Sequence, residues 1–261
     1  MRKIFVHLHI PKCGGSTIVD FLKRNFGSNL GSTNSILNDY QYDASQVVKI
    51  IRHYPSLKCL TGHKLSLDLP FSDPNIDIQA LTWIRDPIDR FVSHYFFHRN
   101  HTTLVPEAKT MNLLDYTEWA LGCGNQQMYI NGQTKFLSGG SLEIVESMVT
   151  DGKLMLFPLS RLQQSFYTLS NNFPEIFTDI KVDSKNISKK DQVIPAGFRS
   201  LILPYVEKDL TLLELANQTP LKTEMSQRSP HQSKESNIVR DLAMRSSRFL
   251  QRAAKFIENR C

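Results

Sequence analysis

IFVHLHIPKCGGST, residues 4–17, divides into an apolar run and a glycine-rich turn. The run Ile4 to Ile10 predicts a strand buried on both faces, of the kind found inside parallel sheets. Gly14-Gly15-Ser16-Thr17 predicts a turn and helix cap, after which Ile18, Phe21, Leu22 and Phe26 recur at helical spacing. A strand feeding a helix through such a turn makes an anion cradle. The helix N-terminus offers unpaired N–H groups and the positive end of its dipole, and glycine lets the backbone approach a ligand closely. Ser16 and Thr17 add hydroxyls and Lys12 adds a point charge. A Walker loop places its Lys directly before Ser/Thr, whereas here Lys12 precedes the glycines. Taken alone, the segment fits either a phosphate site or a plain glycine turn with an exposed Lys.

Outward from this unit, the chain alternates strands and helices. Val47, Val48, Ile50, Ile51 and Tyr54 mark a second helix, and Leu57 to Thr61 a short strand ending in Gly62-His63. Ile76 to Ile84 is a third strand. Asp86 can cap the helix that follows, with Pro87 at its first position. In that helix Ile88, Phe91, Val92, Tyr95 and Phe96 form the apolar stripe, leaving Asp86, Asp89, Arg90 and Ser93 on the other face. Residues 27–42 read as loop, and 99–140 carry no clear pattern. Leu142 to Met148 predicts a helix and Lys153 to Phe157 a strand. Ser160 is placed as the cap of a helix to about Phe173, 181–197 as a basic loop, and Phe198 to Leu215 as one helix. The alternation predicts an α/β fold: a central, mainly parallel sheet flanked by helices.

Two further strand ends carry polar chemistry. Arg85 follows the third strand, where open α/β sheets bind ligands, and its planar fork suits a phosphate. The plainer alternative pairs it with Asp86 or Asp89. His63 stands at another strand end and suits a general base near neutral pH, or a structural role.

The 261 residues, 41% hydrophobic and 21% charged, exclude a disordered or collagen-like chain. No uninterrupted apolar run of about 18 residues exists, so no membrane-spanning helix is expected. The N-terminal run reads as strand and not as signal peptide, for want of a small-residue cleavage site. Cys13, Cys59, Cys123 and Cys261 lie far apart with no CxxC pair, against a zinc ribbon or disulfide framework. A reduced, cytoplasmic protein follows as the expectation. From Lys222 onward nine basic residues face four acidic ones, whereas the first 221 residues carry 22 against 21. The expected division is a domain over 1–221 and a basic, amphipathic helical tail over 222–261, with weak contact to membrane surfaces and no nucleic-acid partner.

HIPKCGGST resembles the 5′-phosphosulfate loop of sulfotransferases that use 3′-phosphoadenosine 5′-phosphosulfate (PAPS), and IRDPIDRFVSHYFFHR resembles their 3′-phosphate segment. The likeness is strongest to the carbohydrate O-sulfotransferases, the heparan sulfate 2-O and 6-O group and their bacterial relatives. Arg85 and Ser93 keep the family's eight-residue spacing, and Gly62-His63 falls at the position of its catalytic base. The resemblance implies a P-loop-like sulfotransferase fold and sulfuryl transfer from PAPS to a carbohydrate hydroxyl, without a metal. It implies that Lys12 contacts the bridging oxygen and the sulfuryl group, and that Cys13, Gly14, Gly15, Ser16 and Thr17 hold the 5′-phosphate. Arg85 and Ser93 would hold the 3′-phosphate, helped by Ser188 and Lys189 in a polar loop, and His63 would accept the acceptor's proton. Cys13 stands where the animal enzymes commonly have Thr, and Thr61 where the 2-O enzymes have another His. A P-loop-type nucleotide kinase and a non-catalytic nucleotide- or glycan-binding module are the competing readings.

Overall fold

The computed structural model describes residues 1–33, 41–101, 105–122, 126–182 and 194–222. The tail beyond Lys222, the loop bearing Ser188 and Lys189, and Cys123 and Cys261 lie outside the described residues.

Five strands, β1 (Arg2–Leu8), β2 (Leu30–Ser32), β3 (Cys59–Gly62), β4 (Ile76–Ile84) and β5 (Leu154–Pro158), form one sheet in the order β2-β3-β1-β4-β5. Every pairing is parallel; Val6 stands beside Leu60 on one side and Ala80 on the other. The order reverses beside β1, so the crevice at the carboxyl ends of β3, β1 and β4 is the sheet's switch point. Strand β4 has the predicted bounds, β1 is shifted two residues towards the N-terminus, and β3 runs Cys59–Gly62 where Leu57 to Thr61 was expected.

Helices cover both faces. The side chains of Ile4, Val6 and Leu8 meet α2 (Ala44–His53), α6 (Gly132–Ser138), α7 (Leu142–Thr150) and α10 (Glu207–Gln218). Phe5 and Trp83 point to the opposite face, onto α1 (Gly15–Phe26) and α8 (Leu162–Asn172), where Phe21 stacks on Phe166 with ring centroids 3.8 Å apart. Each such buried ring contributes about 1.5–3 kcal/mol relative to exposure. A separate apolar cluster joins α3 (Pro87–His101), α4 (Leu113–Gly122), α5 (Gln126–Tyr129) and α9 (Phe198–Ile202) beyond the edge of the crevice.

Three expectations need correction. Residues 27–42 contain a three-residue edge strand, β2, which parallel pairing with β3 holds despite its weak Leu-Gly-Ser sequence. Ser160 caps nothing: β5 runs to Pro158, and Ser160 falls within a 3₁₀ turn, Leu159–Arg161, before α8 begins. The helix expected over 198–215 is broken, because Pro204 lies in a second 3₁₀ turn, Leu203–Tyr205, and α10 restarts at Glu207. Arg90, on the face opposite the apolar stripe, is buried there. It is 3% exposed, with Nε donating to the Pro11 carbonyl and Nη1 to the Met128 carbonyl, both at 3.0 Å.

Candidate active site

The ends of β1, β3 and β4 open into one cavity of about 870 Å³, within the range of small-molecule sites. Lys12, Gly14, Gly15, Ser16, Thr17, His63, Arg85 and Ser93, eight residues that the sequence singled out, all line it. The predicted cap is present, with Asp86 Oδ1 accepting from the N–H groups of Ile88 and Asp89 at 3.0 Å. That cap aims the first turns of α3 at the cavity.

The loop between β1 and α1 is wound tightly. Lys12 has φ 67° and Gly14, the N-cap of α1, φ 76°. A Cβ on Gly14 would come 2.5 Å from Leu159 Cδ1, and one on Gly15 1.6 Å from His9 Nε2. The glycines are thus required by packing as well as by ligand approach. Gly15→Ala is expected to destabilise the fold by about 1–3 kcal/mol through overpacking and to abolish ligand binding. The double variant Gly15→Ala/His9→Ala should recover most of the melting temperature. A single variant as stable as wild type would show that His9 does not occupy that space.

Cys13 behaves differently from its neighbours. The residue is 3% exposed; its thiol donates to Gln133 Oε1 at 3.2 Å, and its N–H donates to the Ile10 carbonyl. Burial pushes the thiol up to about 11. Of the residues assigned to the 5′-phosphate loop, Cys13 is the one that does not line the cavity.

Gln133, which sequence reading missed, ties the β1–α1 loop to the turn after β4. Besides taking the Cys13 thiol, its Oε1 accepts from the Arg85 N–H at 3.0 Å and its Nε2 donates to the Arg85 carbonyl at 2.9 Å. The fully buried Asp209 seats it by accepting from the N–H groups of Gln133 and Thr134 and the Thr134 hydroxyl. Arg85 Nη1 adds a bond to the Lys12 carbonyl at 3.1 Å. Asp86, for its part, pairs with Arg199 at 3.3 Å.

His63 sits exposed at the cavity rim, its ring 3.9 Å from that of His9. His63 Nδ1 is 2.7 Å from the His9 carbonyl. A carbonyl only accepts, so Nδ1 carries the proton and Nε2 the lone pair. Partial burial lowers its pKa below 6.5, opposed by the bond to His9. Burial and the adjacent His63 take His9 down to about 3. Burial and then Arg85 lower Lys12 to about 8, and its Nζ lies 4.0 Å from the Phe97 ring centroid. Among the described residues, no group of His, Cys, Asp or Glu is arranged to hold a metal ion, and no helix is long and apolar enough to cross a membrane.

A parallel sheet that gathers lysine, arginine, hydroxyls and a helix N-terminus around one crevice defines an α/β protein built to bind an anionic ligand. Residues 2–134 match the model of the sulfotransferase family, and the chain belongs to that family. It is accordingly a sulfotransferase, an enzyme that moves a sulfuryl group to an acceptor. A crystal structure of a sulfotransferase from Alicyclobacillus acidocaldarius is similar at 11% identity, over 83% of this chain and 96% of that one, with a TM-score of 0.48. No curated protein matches the sequence.

Proposed function

We propose that the protein transfers the sulfuryl group of PAPS to a carbohydrate hydroxyl by in-line displacement, with His63 as general base. The supporting observation is that Lys12, Arg85 and His63, from three different strand ends, face one cavity. The residues present fit an elongated bisphosphate donor. There is a glycine cradle at a helix N-terminus for one phosphate, and a guanidinium with a serine hydroxyl one element away for the other. In this reading Lys12 and the start of α1 stabilise charge building on the leaving phosphate. His63 Nε2 takes the acceptor's proton while the His9 carbonyl holds the opposite edge of the ring. Ser188 and Lys189 are assigned to the 3′-phosphate on the resemblance alone.

The carbohydrate acceptor rests on the likeness of both anion motifs to the O-sulfotransferases, and a cytoplasmic location on the unpaired cysteine pattern. Cys13 and Cys59 are both buried free thiols. The tail from residue 222 is assigned to acceptor or surface contact, outside the donor site. A nucleotide kinase is disfavoured because Lys12 precedes the glycines. Incubation with sulfur-labelled PAPS and a panel of glycans, read by mass spectrometry, tests the reading; transfer to phenols or amines but to no glycan overturns the acceptor class. Arg85→Ala is expected to weaken binding of adenosine 3′,5′-bisphosphate by about 10–150-fold, the equivalent of about 1.5–3 kcal/mol. Affinity for the 5′-monophosphate should change much less. Equal weakening by calorimetry would remove Arg85 from the 3′-phosphate.

A further inference from the structure

His94 lies on α3, 2% exposed, and lines the cavity. Both of its ring nitrogens are buried with no hydrogen-bond partner among the described residues. Buried polar atoms in folded proteins are nearly always paired, so two orphans on one ring mark a place completed by something else. The groups behind it are already satisfied by one another. His98 Nδ1 meets the Tyr116 hydroxyl at 2.7 Å, and Tyr116 meets the Tyr129 hydroxyl at 2.8 Å. The His94 ring stands edge-on to Tyr129 at 5.5 Å and 5.9 Å from the His98 ring.

The charged and titratable surroundings indicate what completes it. Arg90 and His98 lie one turn away on α3, Lys12 and Arg85 come from the two loops, and Tyr129 from α5. Burial, then Arg90, His98, Lys12 and Arg85, all act to keep the ring neutral. The electrostatic field at this ring is cationic. An anion entering that field opposes it and favours the imidazolium, which has two N–H donors for two orphan positions.

We propose that His94 contacts the anionic part of the ligand and takes up a proton when that ligand binds. The proposal rests on the donor reading above, and it makes the empty-state neutrality of His94 a device for recognising charge. Lys12 and Arg85, the two cations assigned to the donor, both act on His94, and Lys12 acts on His98 as well.

The test is calorimetry of the full chain with adenosine 3′,5′-bisphosphate at pH 7, in two buffers of different ionisation enthalpy. Wild type is expected to take up more protons than His94→Asn, by about half a proton or more per site. The ligand's own protons cancel in that difference. His94→Asn should also bind at least about tenfold more weakly, as expected for a lost charge-assisted bond. Histidine NMR of the wild type gives an independent reading should the variant fail to fold. The His94 ring should pass from neutral to imidazolium as ligand saturates the site. Equal proton uptake in wild type and His94→Asn, or a ring that stays neutral at saturation, overturns the proposal alone. Absence of binding to wild type overturns the donor reading and this proposal with it.

Discussion

His63→Ala is expected to lower turnover by about 10²–10⁴, the usual cost of removing a general base, while binding of adenosine 3′,5′-bisphosphate stays nearly unchanged. The asymmetry follows from where the ring sits. Its Nδ1–H is committed to the His9 carbonyl, and the ring lies at the rim, across β1 from the loop that bears Arg85. Its pKa is held below 6.5, chiefly by partial burial. The neutral, proton-accepting form therefore persists below pH 6.5. For wild type, kcat/KM should stay flat through neutrality on the acid side and fall only below that point, as the ring charges. In His63→Ala this acid limb should disappear along with most of the rate. A variant that keeps full turnover, or the same acid limb, would assign the base elsewhere. Because the residue is exposed, its loss should leave the melting temperature close to that of wild type, which separates a chemical effect from a folding one.

Legibility in the sequence tracked the range of the interactions. The strand Ile76–Ile84 was legible because apolar residues alternate with Asp77 and Gln79 and then dominate Ala80–Ile84, between polar turns. The helix after it was legible because Asp86 and Pro87 are local start signals. The cradle residues announced themselves through glycine and Lys within six positions. Edge strand β2 did not, since three residues with one large apolar side chain carry no period of their own and depend on β3 for pairing. The burial of Arg90 did not show in the helical period, because it depends on carbonyls at Pro11 and Met128. Gln133 gave no local signal, as its partners lie 120 and 48 residues away. His9 and His94 were visible as residues but not as site members. What marks them is a missing Cβ on Gly15 in one case and two unpaired nitrogens in the other.

Lys12 carries the second large effect, and its backbone allows charge to be separated from fold. The residue has φ 67°, a left-handed conformation that costs a side-chain-bearing residue about 1–3 kcal/mol. Lys12→Gly removes the ammonium and relieves that strain together, so the variant should melt no lower than wild type, and higher if the strain outweighs the lost contact with Phe97. Its kcat/KM should nonetheless fall by at least about 10²–10³, the cost of losing one preorganised donor to developing charge. The pH profile supplies the sign. With a pKa lowered to about 8 by burial and Arg85, the free enzyme's ammonium is present below that pH and lost above it. Wild-type kcat/KM should therefore decline as pH rises through about 8. A bound anionic donor favours the ammonium, so the same limb in kcat should lie at higher pH. Lys12→Arg keeps the charge on a group that does not titrate in this range, and should lose the limb in kcat/KM while retaining part of the rate. An unchanged basic limb in Lys12→Arg would exclude Lys12 as its source. A Lys12→Gly protein that is both less stable and fully active would reverse the assignment, making Lys12 a structural residue of the loop.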